Sequence, residues 1–138
     1  MSPVHVRLLL GFCLMALVCG TSYRLGDRTI RRMALIIAVC WVCSTLIQVT
    51  TGLLAEPAIA GDVICGLVAL RLAWKEGRAW LWALVGVLSC LFVLHAVLYA
   101  AHQPPAPAEI VGNNLLATLA LGVLLGAAIR NWRKGVRS

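Results

Sequence analysis

The chain has 138 residues, of which 62% are hydrophobic and 12% charged, with a formal net charge of +7. Soluble domains hold roughly 45–50% apolar residues, and the five acidic and twelve basic side chains are too few to coat a water-soluble globule of this size. A mean hydropathy of +0.93 therefore points to a bilayer as the solvent for most of the surface. The basic residues sit in short gaps between apolar runs, so they read as topology signals and not as a face for nucleic acid.

Five apolar stretches follow in chain order. The first, Pro3 to Tyr23, is uncharged only over the 16 residues between Arg7 and Arg24. The second, Met33 to Ala55, is uncharged for 23 residues, more than the ~20 needed to cross about 30 Å of hydrocarbon. The third, Pro57 to Trp74, carries Asp62 near one end and Arg71 near the other, where long side chains reach an interface. The fourth, Ala79 to Ala101, holds His95 as its one ionisable group apart from thiols and Tyr99, and the fifth, Glu109 to Ile129, opens with an acid. Short connectors favour antiparallel neighbours. Pro57 and the segment from His102 to Pro107 suit turns or helix starts, because proline lacks the amide donor and fixes φ. The reading is an all-α integral membrane protein, one transmembrane domain over residues 1–138. It is an antiparallel helical bundle of five spans, or four if the first stretch does not cross or is cleaved, ending in a basic tail over residues 130–138.

Eleven of the twelve basic residues fall on one side if five spans alternate. Arg24, Arg28, Arg31 and Arg32 precede span two; Arg71, Lys75 and Arg78 surround the gap between spans three and four; Arg130, Arg133, Lys134 and Arg137 follow span five, and Arg7 stands alone opposite. The positive-inside rule then predicts an outer N-terminus and a cytoplasmic C-terminus. Trp74, Trp80, Trp82, Trp132 and Tyr23 fall at the same inner interface, where amphipathic rings prefer to lie. A rival reading takes the first 20 residues as a cleaved signal, but it would strand the arginines from Arg24 to Arg32 outside. The expected location is a bacterial inner membrane.

All six cysteines, Cys13, Cys19, Cys40, Cys43, Cys65 and Cys90, lie inside apolar stretches, where the expectation is packing by small polarizable side chains. Cys40-Trp41-Val42-Cys43 forms a C-x-x-C pair on a helix. These four residues resemble the redox centre of the bacterial disulfide-generating quinone reductases, four-helix membrane proteins. That resemblance implies a thiol pair at the oxidising outer surface and a second cysteine pair in an outer loop. This chain departs on both counts: Cys40 lies ~12 Å inward from the expected cytoplasmic interface, and its loops hold no cysteine. His5, His95 and His102 fall toward the outer side, without the opposed imidazoles of a haem site or the three or four ligands of a zinc site. No cofactor is expected.

Polar residues are distributed asymmetrically. Gln48, Thr50 and Thr51 occupy the outer half of span two, Glu56 and Asp62 open span three, His95 lies in the outer half of span four, and Glu109, Asn113 and Asn114 open span five. Such groups are costly in lipid and should face the bundle interior or a wetted cleft. The functional expectation is a shallow polar cavity open to the outer side, lined by Gln48, Asp62, His95 and Asn113. The plainer expectation, which the near-terminal positions favour, is that these residues cap helices and join spans by hydrogen bonds.

Gly122-Val123-Leu124-Leu125-Gly126 is a G-x-x-x-G, read as close packing inside the bundle, with contact to a second copy or a larger membrane subunit as the alternative. The basic tail can attract anionic lipid. No nucleotide loop, metalloprotease helix or nucleophile elbow is present, and no loop is long enough for a soluble active site. The sequence therefore favours a non-enzymatic accessory, scaffold or assembly subunit whose partners are lipids and other helices. An oligomeric channel, pore former or transporter is the alternative, and a thiol or haem redox protein comes third.

Overall fold

A computed structural model describes residues 3–52, 55–101 and 107–137. Among these the chain forms five α-helices and no strand: α1 (Pro3–Leu25), α2 (Arg28–Thr51), α3 (Ala55–Glu76), α4 (Ala79–Ala101) and α5 (Pro107–Arg137). Four stretches, Arg28–Thr51, Glu56–Glu76, Ala79–Ala101 and Val111–Gly135, are long and apolar enough to cross a membrane. In α1 the apolar stretch among the described residues is the shorter Leu9–Leu25.

Two expected boundaries shift. The gap between α1 and α2 is only Gly26 and Asp27, so Arg28, Arg31 and Arg32 belong to the first turns of α2 and not to a connector. The reason is local. Asp27 takes an extended backbone, and its Oδ1 accepts from the amides of Thr29 and Ile30 at 3.1 Å each, which caps the helix five residues before the charge-free run begins. The basic tail is likewise helical, since α5 continues to Arg137 and its 31 residues span ~46 Å. Arginine and lysine are good helix formers and lift their charges off the apolar surface on long stems, so a helix need not stop where the charges begin. At the other ends, α2 and α3 terminate on glycines with left-handed backbone, Gly52 (φ 73°) and Gly77 (φ 63°). The amides of these glycines close the last turns onto the carbonyls of Gln48 and Ala73. Pro57 lies in the first turn of α3, where its missing amide costs no bond. The expected turn at His102 to Ala106 lies outside the described residues, and Pro107 opens α5.

Helices pack in chain order, α1 on α2, α2 on α3, α3 on α4 and α4 on α5. α5 returns to α1, and α2 also meets α5 across the centre. Cross-helix bonds establish the directions. Thr29 at the start of α2 meets Glu76 at the end of α3, and Asn131 near the end of α5 reaches the last residue of α1, Leu25. Sequential neighbours are therefore antiparallel, while α1 and α5 run parallel. All three basic clusters gather at one end of the bundle, called here the basic end.

The core is concentrated toward that same end. Ile30, Met33, Leu81, Leu84 and Leu124 are at most 1% exposed, with Ala69, Ala73 and Ala128 between them where helix backbones approach. In the opposite half, from Val6 to Leu14, 38 to 52, 55 to 64, 92 to 101 and 111 to 119, Pro57 is the one buried position among those whose burial is described. Among the described residues burial is thus deep at the basic end and shallow at the other. Large apolar side chains such as Leu17, Val49 and Trp74 lie 67%, 74% and 76% exposed on its outside, a surface suited to lipid.

Candidate functional site

The asymmetry of polarity carries into three dimensions. Asp62 on α3 and His95 on α4 each lie about sixteen residues from the tight turn at Gly77 and Arg78, which places them at one level of an antiparallel hairpin. Their side chains meet: Nδ1 of His95 and Oδ2 of Asp62 share a 2.5 Å hydrogen bond, with the two side chains 15% and 14% exposed. With the carboxylate ionised, the ring donates through Nδ1, and neutral imidazole is left with Nε2 as an acceptor. Asp62 thereby orients the ring and selects its tautomer, leaving Nε2 as an acceptor in the half of the bundle away from the basic end. An ionisable pair at this depth of an apolar bundle is a functional candidate in its own right.

Gln48 and Asn113, the other two expected cavity residues, lie in the same half of the bundle, half-buried on the flanking helices α2 and α5. Beside the pair, α2 approaches α3 closely. The Ser44 hydroxyl donates to the Pro57 carbonyl at 2.9 Å, and a Cβ added to Gly61 would sit 3.0 Å from Ser44 Oγ and 3.8 Å from Cys40 Cβ. This contact makes Gly61 a spacer that sets the α2–α3 distance next to Asp62.

The C-x-x-C residues differ in burial. Cys43 is exposed on the outside of α2, whereas Cys40 is half-buried against Gly61 and beside the buried Cys65 of α3. All six thiols are free. Among the described residues, no three His, Cys, Asp or Glu side chains converge in the manner of a metal site. Gly122 and Gly126 face away from the other helices: both are exposed, and a Cβ built on either would meet nothing within 4 Å. The in-bundle packing expected of the G-x-x-x-G is therefore not the role these glycines have here. α5 contacts α1 and α4 through other faces, burying Ala120, Leu121, Leu124 and Ala128.

A second polar cluster, which the reading of basic residues as topology signals had passed over, closes the basic end. Arg78, in the α3–α4 turn, hydrogen-bonds Oδ2 of Asp27 through Nη1. Its Nε lies 3.0 Å from Glu76 Oε2, near enough for charge attraction but off the line of a hydrogen bond. Thr29 donates to Glu76 Oε1 at 2.7 Å, Arg31 Nε donates to the Gly26 carbonyl at 3.0 Å, and its guanidinium lies 5.7 Å from the centre of the Tyr23 ring. Asn131 Nδ2 donates to the Leu25 carbonyl at 3.3 Å and ties in α5. Partial burial by itself would raise the Asp27 pKa. The Ile30 amide, the Arg78 guanidinium and the Thr29 amide outweigh it and hold the carboxyl below its ordinary range. A recognisable signal was present, since Gly-Asp before an apolar run is the pattern of a helix N-cap. Nothing in it disclosed that the partner would come from residue 78.

The aromatic residues support the same polarity of the bundle. Trp74 and Trp82 meet edge to face with centroids 6.0 Å apart. Both rings, together with Tyr23 and Trp132, are at least 43% exposed and lie at the basic end. The chain matches no protein-family model, no curated protein and no solved structure.

Proposed function

We propose that this chain is a small multi-pass protein of a bacterial inner membrane that acts without catalysis, as an accessory, scaffold or assembly subunit of a membrane complex. The observation that supports this most directly is the deeply buried half of the bundle. Ile30, Met33, Leu81, Leu84 and Leu124 fill its interior, and the Asp27–Arg78–Glu76 cluster covers its end. The described residues of one chain therefore offer a filled interior in that half, and an outward surface fit for lipid and for helices of another protein. In this reading α1 is a fifth span, the N-terminus is outside, and the basic end lies in the cytoplasm, as the positive-inside rule demands. Affinity purification in mild detergent tests it. A second membrane protein should copurify in fixed ratio and be lost when the exposed α5 face is altered by Gly122→Leu. A chain that purifies alone and conducts ions in liposomes would overturn it.

The Asp62–His95 pair favours a second reading, a small oligomeric channel or transporter in which this pair, with Gln48 and Asn113, lines a path completed by neighbouring copies. Flux across liposomes that is present in the wild type and abolished by Asp62→Asn supports it. Equal flux in empty and loaded vesicles rejects it.

A further inference from the structure

We infer that the basic face of α5 is a binding site for the phosphate headgroup of an anionic phospholipid. Gly126, Ile129, Arg130, Arg133 and Lys134 line an open cavity of about 350 Å³. Their spacing places all five on one face of the helix. The cavity is graded along the helix axis. Gly126 and Ile129 form its apolar part toward the middle of the bundle, and the three cations form the part toward the basic end. That gradient matches a molecule with an anionic head and an apolar glycerol-acyl body, and it distinguishes such a molecule from free phosphate, which has no use for the apolar half. The space beside Gly126 is open, since a Cβ there would meet no neighbouring helix. Trp132, half exposed on the same turn, belongs at headgroup level.

Two further features keep the site cationic and in place. The carboxylates at this end, Asp27 and Glu76, meet Arg78 and Thr29, and among the described residues neither pairs with Arg130, Arg133 or Lys134. Asn131 projects to another side of α5 and bonds the Leu25 carbonyl, which anchors the turn that carries Arg130 and Arg133. The helix that carries the three exposed cations is thereby tied to α1. The inference rests on the membrane reading above but not on any protein partner.

The test is native mass spectrometry of the full chain in mild detergent, titrated with phosphatidylglycerol, with phosphatidylcholine and with inorganic phosphate. The wild type should retain one phosphatidylglycerol in preference to phosphatidylcholine. Each basic side chain near an anionic headgroup contributes about fivefold in affinity, so Arg130→Gln/Arg133→Gln/Lys134→Gln should weaken retention on the order of 100-fold. A control with the same loss of charge at the same end, Arg24→Gln/Arg28→Gln/Arg32→Gln, should weaken it far less, and Gly126→Leu should weaken it with no change in charge. Equal losses in the two triple variants, equal retention of phosphatidylcholine, or displacement of the lipid by millimolar phosphate would each overturn the site. Extraction of the chain from membranes by alkaline carbonate would instead refute the membrane reading itself. Retention in the carbonate pellet with an unaffected cavity variant would refute only this inference.

Discussion

Replacing Asp27 separates two contributions that one side chain makes through its two oxygens. Oδ1 caps α2 by accepting from Thr29 and Ile30, and Oδ2 pairs with Arg78. Loss of such a cap costs about 1 kcal/mol. The ion pair is partly open to solvent, with side chains 38% and 28% exposed, which limits it to at most about 1 kcal/mol. Asp27→Ala should therefore destabilise the bundle by about 2 kcal/mol, and Asp27→Asn, which still caps, by no more than about half of that. The charge contribution has a predictable pH dependence. The folded pKa is depressed, so the stabilisation is complete above the unfolded value of about 3.9 and is lost as pH falls through the lower folded value. The gap between wild type and Asp27→Asn should stay level from pH 7 to about pH 5 and close below about pH 4. Reversible unfolding in mixed micelles of mild detergent and dodecyl sulfate, followed by tryptophan fluorescence, reads both quantities. If Asp27→Asn proves as damaging as Asp27→Ala, or the gap persists in acid, the division between cap and ion pair is refuted.

Other substitutions test the packing and the candidate site. Gly26→Ala would drive a methyl group into the Ile30 side chain and to 2.5 Å from the Ser22 carbonyl, so a loss of at least about 1–3 kcal/mol is expected, read as a lowered melting temperature. His95→Ala leaves the Asp62 carboxylate without its partner inside the bundle, so it should destabilise more than Asp62→Ala/His95→Ala together. Strict additivity in that double-mutant cycle would show the pair to be energetically idle. In a cysteine-free background, single cysteines at Arg28, Lys75 and Arg133 should all react with a membrane-impermeant maleimide from one side. Labelling from opposite sides would break the common basic end.

Much of the architecture was already determined by local chemistry. Stretches such as Met33 to Ala55 and Ala79 to Ala101 must bury their peptide groups by coiling in lipid or in one another, so their helical state follows from hydropathy and length alone. Short turns then force antiparallel neighbours, and the arginine and tryptophan positions already pointed to a common end. Asp62 and His95 could be singled out because isolated ionisable residues in apolar runs are rare and costly. Their direct bond, however, depends on the rotation of α3 against α4, which no pattern within either helix specifies. The same holds for Gly122 and Gly126: a G-x-x-x-G permits close approach, but which face of α5 turns inward was decided by the fit of Ala120, Leu124 and Ala128 against its neighbours. Arg78 read as one more topology charge until the return of α3 carried it to Asp27, 51 positions away in sequence. Periodicity and charge act along the chain and can be read from it. Partnership across helices depends on rotation and register, which only the simultaneous packing of all five can select.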